Sequence, residues 1–170
     1  MNKIGRKILI TIGIVGLLLA GCSSKGNNQM STVPGEEQIT KEEKALTEIY
    51  DEITENVELP KMVVLNDNYI ANYFAIELSG LEEYVFTNAE EVIYADTIII
   101  IKAKPDTDKE ALQEALETMI EHKKAELENY LPEQFKIVEK SKVQVSGDYI
   151  YLVISEKEAD IKAIIEKYVK

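Results

Sequence analysis

The segment Thr97-Ile98-Ile99-Ile100-Ile101 constrains this chain more than any other. Five β-branched residues in a row are stiff at χ1, which crowds a helix but suits a pleated strand. Side chains of a strand alternate between two faces, so an unbroken apolar run calls for cover on both and marks a central strand. Glu83 to Asn88 reads as a neighbouring strand, joined to the isoleucine run through the Ala89-Glu90-Glu91 region. Lys136 to Val145 and Tyr149 to Ile154 read as a second hairpin around Gly147-Asp148, a pairing that sets Val145 against Ile150, Val143 against Leu152 and Ser141 against Ile154.

Three helices accompany these strands, each announced by the same device. Thr40-Lys-Glu-Glu43, Thr107-Asp-Lys-Glu110 and Ser155-Glu-Lys-Glu158 are S/T-x-x-E patterns, in which a hydroxyl and a carboxylate satisfy the orphan N–H groups of a first turn. Apolar residues at helical spacing follow each: Leu46, Ile49, Ile53 and Val57 up to Pro60, Leu112, Leu116, Met119 and Ile120 in a long helix up to Leu131-Pro132, then Ile161, Ile164 and Ile165. Tyr69, Ile70, Tyr73 and Phe74 suggest a further short helix. The fold class expected is α+β: a mainly antiparallel sheet of about four strands, as two hairpins separated by the long helix, with amphipathic helices packed on one face.

The first residues are of another kind. Lys3, Arg6 and Lys7 form a positive start, Ile8 to Leu19 an apolar stretch of twelve residues, too short for the roughly 20 that span a bilayer. This is the pattern of a signal peptide covering residues 1–21. It ends in Leu19-Ala20-Gly21-Cys22, similar to the bacterial lipobox L-[AS]-[GA]-C, which signal peptidase II recognises. The resemblance implies diacylation of Cys22 and cleavage just before it. Two acyl chains meet the requirement for stable membrane anchoring, and a sole cysteine consumed by lipid leaves no reactive thiol in an exported protein. Residues 22–38 then form a Gly/Ser/Asn-rich tether with an r.m.s. reach of roughly 20–25 Å, and residues 39–170 a single domain. The localisation expected is the extracytoplasmic face of a cell membrane, held by lipid.

Charge narrows the partners. Nineteen basic residues face 31 acidic ones, a net charge of −12. Loss of Lys3, Arg6 and Lys7 with the signal peptide leaves 16 against 31, a side-chain charge of −15. Such a domain is a poor ligand for nucleic acid, whose phosphates need a clustered basic surface. It contains no arginine, since Arg6 is the only one, so the bidentate clamp for phosphate and carboxylate is missing.

No catalytic constellation stands out. His122 is the sole imidazole and lies mid-helix between Glu121 and Lys123-Lys124, where a surface histidine is expected. No Gly-x-Ser-x-Gly elbow accompanies it, and one histidine without a free cysteine builds no ordinary zinc site, so no metal or cofactor is expected. Asp106, Asp108 and Glu110 imitate a calcium run, but the glycine and glutamate of such a loop do not follow. What remains is surface. Tyr84 and Phe86 alternate on one strand and Tyr149 and Tyr151 on another, and together they form a candidate partner surface on a sheet face away from the core. The competing reading is cross-strand pairing or burial under residues 39–57.

Ile101-Lys102-Ala103 at a strand end, a long helix running into Tyr130-Leu131-Pro132, then Gly147-Asp148-Tyr149 and Val153-Ile154-Ser155, resemble a family of Gram-positive lipoproteins that share a domain of unknown function. The resemblance implies a small exported lipoprotein domain and carries no catalytic residues with it. Heavy use of isoleucine and 18 lysines to one arginine accord with an AT-rich Gram-positive coding bias. The function expected is a membrane-tethered, non-enzymatic binding or accessory domain for an envelope protein or glycan. The alternative is a carboxylate-based enzyme acting on cell-wall or surface glycan. A two-lobed solute receptor is disfavoured by size.

Overall fold

The computed structural model describes residues 43–169. Leu19, Ala20, Gly21, Cys22, the tether and Thr40 lie outside the described residues.

The chain runs α1 (Leu46–Asn56), β1 (Met62–Val64), α2 (Asp67–Tyr73), a 3-10 turn (Leu78–Gly80), β2 (Leu81–Ala89) and β3 (Thr97–Ala103). It continues through α3 (Lys109–Leu127), α4 (Pro132–Lys140), β4 (Gln144–Ser146), β5 (Tyr149–Ile154) and α5 (Glu158–Ile165). The strands form one antiparallel sheet in the order β1-β2-β3-β5-β4, so the isoleucine strand lies at the centre of five. The fold class is α+β, as expected, with one strand more. Met62-Val63-Val64 was not foreseen because three residues carry no readable period.

The helices cover both faces of the sheet, not one, and β3 shows why. Ile98 and Ile100 pack with Leu46, Ile49 and Ile53 of α1 and Ile161 and Ile165 of α5. Ile99 and Ile101 point the other way, toward Ile70 of α2, Leu112, Leu116 and Met119 of α3 and Val138 of α4. All four isoleucines are fully buried, each contributing about 1.5–3 kcal/mol of apolar transfer energy. A strand apolar on both sides needs a helical layer on each.

The second hairpin is shorter than expected. Residues 132–140 form helix α4, with Pro132 in its first turn where a missing N–H costs nothing. Val145 opposes Ile150 and Gln144 opposes Tyr151, but Val143 and Ser141 precede the strand and oppose nothing in it. Gly147 has φ 61°, the left-handed start of a two-residue loop that suits the strand twist.

The helix starts are also displaced from the S/T-x-x-E patterns. The N-cap of α3 is Asp108, whose Oδ1 accepts from the Ala111 N–H at 3.0 Å. Thr107 instead donates its hydroxyl to the Gly80 carbonyl, fastening the start of β2 to the start of α3. Ser155 makes a tighter turn before α5, accepting from the Lys157 N–H at 3.1 Å and donating to Asp96 Oδ1 at 2.6 Å. Near α1, Glu48 accepts from the Ala45 N–H, while Glu43 pairs with Lys102. The long helix stops at Leu127, four residues before Leu131.

Candidate functional site

The four aromatic residues singled out on the strands do not share a face. Both strands pair with β3, Tyr84 opposite Ile101 and Phe86 opposite Ile99, but Tyr151 opposite Ile100 and Tyr149 opposite Lys102. That offset of one residue sends the two pairs to opposite sides of the sheet. Phe86 is only 1% exposed in the core beneath α2 and α3, with Phe74 5.7 Å away, and Tyr84 packs edge-on against it. Tyr151 is buried on the other face and donates its hydroxyl to Glu166 at 3.1 Å. Burial, helped by that carboxylate, pushes its phenol up to about 12. Tyr149 packs at the margin of the same core. These residues hold the sheet to its helices and leave little area for a partner.

The exposed apolar area lies elsewhere. Tyr69 and Tyr73 of α2 and the sequence Val92-Ile93-Tyr94 in the β2–β3 connection are exposed, Val92 at 89%. Tyr69, Tyr73, Val92 and Tyr94 border, with α3, a cleft of about 280 Å³, lined also by Phe74, Asn88, Met119, Lys123 and Glu126. Its walls follow from local sequence. Asn66 caps α2 by accepting from the Tyr69 N–H at 3.0 Å, and the four-residue spacing then stacks Tyr69 on Tyr73, with centroids 5.1 Å apart. Phe74 turns inward, edge-on to Tyr73, and anchors the pair to the core. Opposite them, the connection is clamped at Ala95, whose N–H donates to Gln134 Oε1 at 2.7 Å and whose carbonyl accepts from Lys123 Nζ at 3.2 Å.

The polar groups of the cleft have distinct states. Tyr73 donates to Glu126 Oε1 at 3.4 Å, and burial together with that carboxylate raises its phenol above the ordinary range. Burial pulls the Lys123 ammonium below the usual lysine range, partly offset by the fields of Glu126 and Asp96. The cleft thus offers ring faces and hydrogen-bonding groups around a half-buried cation, a mixture suited to recognition of a ring-bearing polar ligand.

A second groove, about 550 Å³, runs between α3 and α4 and is lined by Glu114, Glu117, Glu121 and Glu139 with Lys124 and Ser141. Its four carboxylates are exposed. Glu121 is paired with Lys124 at 2.7 Å and Glu117 accepts from Gln113. His122 is exposed on α3 beside Tyr73 and Ala115. Asp106, Asp108 and Glu110 stand at a helix start, and no cluster of metal-ligating side chains occurs among the described residues.

Sequence reasoning passed over Tyr69, Tyr73, Tyr94 and Lys123. A readable sign existed for Tyr94: Val92-Ile93-Tyr94 is an apolar run in a connection between two strands, where turn-forming polar residues are the rule. Nothing in the sequence separates Lys123 from Lys124.

Fold and cleft together define a small two-faced α+β domain with an aromatic-lined cleft beside its central sheet. Residues 55–155 match a domain of unknown function (DUF4358), and the chain belongs to that family. The match contains the whole sheet and the whole cleft, and leaves out most of α1 and all of α5. No curated protein and no solved structure matches the chain.

Proposed function

We propose that this protein is an extracytoplasmic lipoprotein, held to the membrane through diacylated Cys22, whose domain is a non-enzymatic binding module for a cell-envelope partner, a protein or a glycan. The observation that carries the binding half is the convergence of Tyr69, Tyr73, Val92 and Tyr94 on one cleft. Four large apolar side chains left in water around one cleft mark a contact surface, whereas scattered ones do not. The anchor rests on Leu19-Ala20-Gly21-Cys22 at the end of a short apolar stretch behind a positive start. A side-chain charge of −15 repels an anionic membrane or wall polymer over roughly 8–10 Å, so lipid and tether do the holding.

Chemical crosslinking in intact cells tests the binding half. A discrete adduct is expected for the wild type and its loss for Val92→Ser, a variant that keeps the fold. No adduct under several chemistries, or one indifferent to Val92→Ser, contradicts it. For the anchor, Cys22→Ala is expected to accumulate as unlipidated precursor, and unchanged lipid labelling of that variant refutes it.

The four carboxylates of the α3–α4 groove favour a second reading, acid–base chemistry on cell-wall or surface glycan. A general acid needs a carboxyl shielded from water, and these four are exposed, so the binding reading is preferred. Glycan cleavage abolished by Glu114→Gln or Glu121→Gln would reverse the preference.

A further inference from the structure

Six lysines among the described residues are half-buried: Lys44, Lys102, Lys109, Lys123, Lys124 and Lys162. Five of them reach a carboxylate of the chain within ion-pair distance. Lys123 is the exception among the described residues. Its ammonium has three donors and one recorded acceptor, the Ala95 carbonyl. In a domain carrying almost twice as many acids as bases, a half-buried cation without a carboxylate partner runs against the statistics of its own surface. A buried charge is costly unless something pairs it.

The surroundings say what would pair it. Lys123 opens into the cleft walled by the Tyr69–Tyr73 stack and by Tyr94, and burial there weakens the hydration that competes with an incoming anion. Asn88 and Glu126 at the same cleft supply groups for hydroxyls, which a purely aromatic acid would leave unused. Glu126 also disfavours a diffuse polyanion, because it stands in the same cleft as the cation.

Resting on the reading of this cleft as the recognition surface, we infer that its ligand is an acidic sugar residue, a pyranose ring carrying one carboxylate. The ring lies against tyrosine and the carboxylate takes the free donors of Lys123. This deepens the proposed function by selecting glycan over protein and by naming the charge the glycan carries.

Amide-resolved NMR titration of the full chain in detergent micelles with methyl glucuronoside, methyl glucoside and phenylacetate tests it. The glucuronoside is expected to shift cleft amides around Tyr73, Tyr94 and Lys123 and to bind about tenfold more tightly than the neutral glucoside, the scale of one hydrogen bond to a charged group. Lys123→Met should erase that preference, and Lys124→Met should leave it. Equal binding of glucoside and glucuronoside, or a preference that survives Lys123→Met, overturns the ligand class while the cleft stands as a binding surface. Tighter binding of phenylacetate than of glucuronoside overturns the sugar. No shift at the cleft with any of the three overturns both the inference and the cleft as a glycan-recognition surface, whereas the crosslinking experiment with Val92→Ser judges protein recognition separately.

Discussion

The two faces of the sheet are closed by different means. On the face of α1 and α5, polar side chains are used to bind helices to one another. Glu52 of α1 accepts from Lys44 and from the Tyr168 hydroxyl, both at 2.7 Å, and from Lys167 at 3.0 Å, which ties the first helix to the C-terminal turn. Lys44 also lies 4.9 Å over the Tyr168 ring. On the face of α2, α3 and α4, the core beneath is equally buried, but its rim keeps three tyrosines and a valine in water and one cation without a carboxylate. Apolar burial is shared by both faces; what separates them is a closed polar network on one and an exposed apolar rim with a lysine lacking a carboxylate on the other.

The sharpest way to break the comparison is at the core itself. Ile100→Ala on the α1/α5 side and Ile99→Ala on the cleft side should each lose about 2–5 kcal/mol in urea unfolding, since both remove a fully buried side chain. A loss under about 1 kcal/mol on the cleft side alone would mean that the core beneath the cleft is loosely packed. Gly80→Ala is expected to cost about 1–3 kcal/mol, because its new methyl would stand 3.0 Å from Thr107 Oγ1 and 3.2 Å from Thr107 Cγ2. Thr107→Ser, which removes the second of those atoms, should recover part of the loss in thermal unfolding.

The closed face carries a pH signature. The donors Lys44, Tyr168 and Lys167 hold the Glu52 carboxyl at about 2, against 4.5 for the free group. A carboxyl depressed in the folded state stabilises fully above its unfolded value and loses that stabilisation as pH falls toward its folded value. The melting temperature of Glu52→Gln should therefore lie below wild type at pH 7, with the gap narrowing between pH 4.5 and about 2. A gap constant over that range would show that the network does not depend on the charge. The smallest expected effect on stability is at the open rim, where Val92→Ser should move unfolding by no more than about 0.5 kcal/mol while abolishing partner capture.

Much of this architecture was legible in the chain and some was not, for identifiable reasons. The isoleucine run announced a central strand with two buried faces, and the antiparallel α+β class followed from strands arriving in neighbouring pairs. That same run contradicted a single helical layer, a consequence visible in Ile98 and Ile99 before any coordinates. Residues 136–145 misled because Ile137, Val138 and Val143 are β-branched, whereas Pro132 could open a helix as well as end one. The caps slipped by one to several residues because Asp108 and Ser155 compete for the same orphan groups as their neighbours. Tyr84 and Tyr151 were misplaced by strand register, which alternation within one strand does not reveal. The apolar run Val92-Ile93-Tyr94 hinted at the cleft, but Lys123 was hidden because it acquires its character only where α3 meets the β2–β3 connection.

On the proposed function, the open rim meets the partner and the closed face only holds the fold. Photo-crosslinking from two positions in intact cells compares them directly, with the reactive side chain at Val92 on the rim or at Glu55 on the outer side of α1, both exposed. A discrete adduct from position 92 and none from position 55 is the predicted result. An adduct from position 55 alone would place recognition on the closed face and contradict the account.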